Sequence, residues 1–181
     1  GARGRGSRRF YGVTGRMAAT DIAGHARSAR ASVPLQMLME LDPAFGSLAL
    51  WLNHADSDGP GPEDEGAPAW TDGRTVFYGP GFAALAPREK VGIAAHQILH
   101  VALRHAPRGR RMRRRLGEDF DPRLWNIATD ALVNETLALG GLTLPKPCVL
   151  LSELLSAALG EETSPEQAIG VWDAERLYMR L

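Results

Sequence analysis

Apolar and polar positions alternate with a helical period over two long stretches of the chain. In residues 87–105, Val91, Ala94, Ala95, Ile98, Leu99 and Ala102 fall on one side, which predicts a helix. Pro87 and Glu89 suit its first turn, and Ala106-Pro107 should stop it just after His105. A second helix is predicted over residues 122–139, opened by Asp121-Pro122 and ended by Gly140-Gly141. Residues 20–39 also carry helical spacing, with Thr20 or Asp21 as a cap and Pro34 expected to kink or split the run. After Asp42-Pro43, the apolar run at residues 48–52 predicts a short buried strand. Asp72-Gly73, flanked by Trp70, Thr75, Val76, Phe77 and Tyr78, predicts a hairpin. An extended connector at residues 144–150 leads to two short helices, residues 152–159 and 173–180.

Composition narrows the class. The chain of 181 residues is long enough for one domain with a real core. Lys+Arg and Asp+Glu both number 21, so no global field selects nucleic acid or a membrane. Cys148 is the single cysteine, which excludes an intrachain disulfide and a multi-thiolate zinc site and suits a reducing, cytoplasmic setting. No apolar run reaches membrane-spanning length. The charge is segregated instead. Residues 1–18, with Arg3, Arg5, Arg8 and Arg9, read as a basic flexible arm ahead of a domain at residues 19–181. Residues 56–68 carry Asp56, Asp58, Glu63, Asp64 and Glu65 without calcium-loop spacing and read as a solvated loop. Arg108, Arg110, Arg111, Arg113, Arg114 and Arg115 read either as a mobile loop or as a patch for an acidic partner, phosphate or nucleic acid.

The candidate chemistry lies on the first helix. His96 and His100 stand one turn apart, so two imidazoles can share one metal ion. This is the spacing of the HExxH zinc-peptidase motif, in which the Glu takes a proton from water at the metal. Here Gln97 holds the Glu position, and its amide cannot accept a proton near neutral pH. A catalytic zinc takes three protein ligands. His105 lies about 180° around the same helix from His96 and reaches the ion only if the helix breaks. Asp130, on the second helix, is the better third ligand. Asn126 and Asn134 share its stripe and would orient the ligands. His25 has no partner in sequence and reads as a surface residue.

Thr71-Asp72-Gly73, Gly79-Pro80-Gly81-Phe82, the run from Ala95 to His105, Arg108 and the run from Trp125 to Asn134 together resemble a metallopeptidase domain found ahead of von Willebrand factor A-like domains in bacterial proteins. The closing residues 174–181 also resemble the family's end. The resemblance implies a zincin-like α+β domain: a small sheet with a hairpin packed on an active-site helix, and a second helix bearing a ligand. It implies zinc at His96, His100 and Asp130, a peptide or protein substrate, and a catalytic Glu at the position of Gln97, here replaced by nature or by design. Peptide hydrolysis is therefore expected to be impaired in the chain as written. Two alternatives stay open: a non-catalytic zinc-binding module that holds a peptide or protein, and nucleic-acid binding through Arg108 to Arg115.

Overall fold

A computed structural model of the chain describes residues 28–59, 61 and 66–181. The expected basic arm, His25, the start of the expected helix at residues 20–39, and Glu63, Asp64 and Glu65 lie outside the described residues.

Among the described residues the fold is α+β, with a three-stranded sheet and nine helices. Helices α1 (Ser32–Leu41) and α2 (Pro43–Leu50) lead into strand β1 (Asn53–Asp56). The hairpin β2 (Ala69–Thr71) and β3 (Thr75–Tyr78) follows, then α3 (Pro80–Ala84) and α4 (Pro87–Ala102). Helix α5 (His105–Leu116) and a short 3-10 turn (Gly117–Asp119) precede the long α6 (Pro122–Leu139). Helices α7 (Leu151–Leu159), α8 (Pro165–Val171) and α9 (Ala174–Arg180) complete the chain. The sheet order is β1-β3-β2, with β1 parallel and β2 antiparallel to β3.

Helix α4 is the centre of the domain. Ala94 packs with Val76, Tyr78 and Phe82 on the sheet side, whereas Val91, Ala95 and Ile98 pack with Leu38, Val133 and Leu137. The opposite side of α6, with Trp125, Ala128 and Leu132, is covered by Leu151 and Leu155 of α7, by Trp172, and by Leu177 and Tyr178 of α9. Helix α4 therefore lies between the sheet and α6, buried on two sides. Its contact with the chain after α6 is close: a Cβ on Gly92 would overlap the Thr143 carbonyl oxygen.

Several expectations are corrected. The apolar run at residues 48–52 is not a strand. Leu48 and Leu50 belong to α2, which Asp42 caps by accepting from the Ala44 and Phe45 amides, and the strand comes later at Asn53–Asp56. Within the described part of the run 20–39, α1 begins at Ser32 after a turn and places Pro34 in the first helical turn, where no intrahelical N–H is needed. The arginine-rich segment is the ordered helix α5 rather than a loop. The helix carrying the His pair ends at Ala102 instead of running to His105, because Arg104 takes a left-handed conformation with φ 57°. Three helices, not two, close the chain.

Candidate metal centre

The His pair sits where α4 emerges between β2 and α6. Helical spacing puts His96 and His100 on one side of α4, and α6 brings Asp130 across from them. The Nε2 atoms of His96 and His100 lie 2.9 Å apart. The Asp130 Oδ1 lies 3.5 Å from the first and 3.1 Å from the second. Donors around a tetrahedral ion with bonds of about 2.0–2.1 Å sit roughly 3.3 Å apart, so the triangle has the right size for a metal ion. His96, His100 and Asp130 are the group of potential metal ligands found among the described residues.

The hydrogen bonding behind the rings points their lone pairs into this triangle. The Asn134 Nδ2 donates to the Val149 carbonyl at 2.9 Å, which fixes the amide so that its Oδ1 faces the His96 Nδ1 at 2.9 Å. The His96 Nδ1 must then carry the hydrogen, leaving Nε2 a bare acceptor when the ring is neutral. The His100 Nδ1 faces the His105 Nδ1 at 3.1 Å, and donation from His100 frees its Nε2 in the same way. Three acceptors then converge, an arrangement that a cation or an extra proton on a ring relieves.

Charge agrees with geometry. Burial alone would raise the Asp130 carboxyl, but whenever a ring carries a proton on Nε2 the hydrogen bonds from His100 and His96 outweigh it and hold the group below the ordinary carboxylate range. It remains an anion facing two imidazoles. Burial pushes the His100 imidazole below its ordinary value, and His96 adds to this against the pull of Asp130. His105, 3% exposed, is pushed down to about 3 by burial and by the neighbouring His100 and Arg108, so it is a neutral partner.

The sequence model of a family described as "Putative metallopeptidase domain" matches residues 26–181. The chain belongs to this family. Neither a curated protein nor a solved structure matches it. For a member of the metallopeptidase-domain family, the three converging donors are the expected kind of feature, and they point to a metal ion.

The other singled-out residues divide around this centre. Gln97 lines the cavity beside the two rings, and its Nε2 donates to the Ala69 carbonyl of β2 at 3.2 Å. Asn126 lines the same wall four residues before Asp130. His105 stands behind His100 instead of beside the cluster. The break at Arg104 that brings it there needed no glycine, which is why spacing along a continuous helix gave the wrong position. Arg108 is engaged elsewhere, its Nε donating to the Glu175 Oε1 at 2.8 Å. All five remaining arginines of α5 are exposed, Arg110 and Arg113 at the cavity and Arg111, Arg114 and Arg115 away from it.

The cavity, about 570 Å³, runs from Ala69, Trp70 and Thr71 on one side to Phe120, Trp125 and Thr129 on the other. Strand β3 is paired on both sides, so residues 75–78 present no free strand edge. The outer edge of the sheet at the cavity is β2. No helix among the described residues is long and apolar enough to cross a membrane.

Proposed function

We propose that the chain is a zincin-like, zinc-binding metallopeptidase-type domain whose site holds its metal and a peptide but turns over poorly because Gln97 occupies the general-base position. The observation that carries this reading is the convergence of the His96 Nε2, His100 Nε2 and Asp130 Oδ1, with Gln97 beside them in the same cavity. His96, His100 and Asp130 would hold zinc, a choice that suits two imidazoles and a carboxylate with room for a further ligand. When bound, zinc supplies Lewis-acid polarisation of a carbonyl and a water made nucleophilic near neutral pH. Asn134 and His105 hold the two rings in the tautomer that ligation needs. The outer edge of β2 offers backbone groups to an extended peptide. Gln97 can hydrogen-bond a water or substrate oxygen but cannot take a proton from it.

A second reading, the non-catalytic peptide- or protein-binding module, is favoured by the bond from Gln97 to Ala69. A carboxylate cannot donate that bond, so the glutamine has a structural partner of its own.

Zinc titration by calorimetry tests the metal assignment. One zinc per chain is expected for the unmodified protein. Asn134→Ala should weaken binding roughly 10–100-fold, the usual effect of removing a group that orients a ligand, and Asp130→Ala should weaken it further. Undiminished affinity in Asp130→Ala contradicts the three-ligand set.

Protons compete for the same nitrogens, so affinity should hold above the ordinary imidazole range and fall as pH drops through and below it. The lowered His100 value delays its protonation but does not change the sign. Dialysis at about pH 4 should release the zinc, and stoichiometric retention there contradicts imidazole ligation.

A further inference from the structure

The arginines of α5 are not one patch. At 100° per residue, buried His105, Gly109 and Met112 mark the inner face of the helix. Arg108 lies on one flank, committed to Glu175 of α9. Arg110 and Arg113 lie on the other flank, one turn apart, and line the cavity with Ala106 and Gly109. Helix α5 is held close against α6, since a Cβ on Gly109 would stand 2.7 Å from the Trp125 Nε1. The side of α5 from which these two residues project is therefore set by a tight helix contact.

Among the described residues, the side chains of Arg110 and Arg113 make no hydrogen bond or ion pair. Among the described residues Asp130 is the carboxylate lining the cavity, and its Oδ1 is turned to the His pair. Two unpaired guanidinium groups thus face a cavity whose walls include Trp70, Phe120 and Trp125, which strengthens their field there. A guanidinium fork matches a carboxylate through two parallel hydrogen bonds.

We propose that Arg110 and Arg113 form a carboxylate-binding subsite of the metal cavity, selecting peptides with an acidic side chain or a free C-terminal carboxylate near the metal cluster. The proposal rests on the reading of the cavity as a peptide site. A nucleic acid fits less well. The arginines diverge around α5 instead of tracking one open face, and the pair in question faces a walled cavity beside a strand edge.

The test uses two mixed octapeptide libraries, one amidated at the C-terminus and one with free carboxylates. Each is captured on the immobilised chain with and without zinc and read by mass spectrometry. Enrichment of Glu and Asp over Gln and Asn at one position of the amidated library, or preference for the free-acid library, should be roughly tenfold, the worth of one charge-assisted hydrogen bond. The double variant Arg110→Gln/Arg113→Gln should lose it while keeping its zinc stoichiometry. Arg111→Gln/Arg114→Gln, an equal charge change away from the cavity, should keep it.

Equal loss in both double variants overturns the subsite, as does no loss in either. Displacement of the peptides by a single-stranded DNA or RNA oligonucleotide that depends equally on all four arginines also overturns it, in favour of a nucleic-acid surface. Zinc bound without selectivity removes the subsite alone. Arginine-dependent selectivity in a chain that binds no zinc removes the metallopeptidase reading alone.

Discussion

Gln97→Glu is expected to raise zinc-dependent peptide hydrolysis by roughly 10²–10⁴-fold over the chain as written, the usual contribution of a general base. The site around position 97 explains both the gain and its side effect. The Gln97 amide now donates to the Ala69 carbonyl at 3.2 Å. A carboxylate placed there would set one acceptor against another, so it should leave Ala69 and turn toward the cavity where a base is needed. Loss of a single neutral hydrogen bond should lower stability by only about 1 kcal/mol. Cleavage of a mixed peptide library, read by mass spectrometry and abolished by a chelator, checks the outcome. A zinc-loaded Gln97→Glu variant that cleaves nothing identifies the domain as a binding module.

Gly92→Ala is expected to have the largest effect on stability. Its Cβ would overlap the Thr143 carbonyl oxygen and lie 2.9 Å from the Thr143 carbonyl carbon. Both atoms are backbone, so no side-chain rotation relieves the overlap, and α4 must separate from the segment after α6. Overpacking of this kind costs about 3 kcal/mol or more. Because α4 carries both histidines and α6 carries Asp130, the same displacement should weaken metal binding. Urea denaturation of the metal-free chain measures the first effect and zinc titration the second. A loss below about 0.5 kcal/mol, the range of an ordinary surface substitution, contradicts the packing described for α4.

The parts legible in the sequence are those whose signals are local. Asp121 accepts from the Arg123 and Leu124 amides at the start of α6, and the Ala86 amide donates to Glu89 at the start of α4. The hairpin turn is held by the Asp72 carboxylate, which accepts from the Arg74 and Thr75 amides. The pairing of Asp130 with the two histidines was also readable, because polar residues in register on an apolar helix need partners.

Other elements were hidden for physical reasons. Four of the five residues at 48–52 are large and apolar, so periodicity could not separate helix from strand. The cap at Asp42 with Pro43 behind it was the better signal. Helix α5 carries almost no apolar stripe, since Met112 and the small Gly109 make its buried contacts along with His105. Its Pro107 lies in the first turn, where it breaks nothing. His105 was misplaced because Arg104 adopts the left-handed conformation usually left to glycine, which no local pattern announces.

X-ray absorption at the zinc edge, on the chain titrated with one equivalent of zinc, bears most directly on the metal centre. The first shell should lie at about 2.0–2.1 Å with two imidazoles and carboxylate oxygen, and lose one imidazole in either His96→Ala or His100→Ala. A spectrum without imidazole scattering, or one unchanged by both substitutions, would contradict this ligand set.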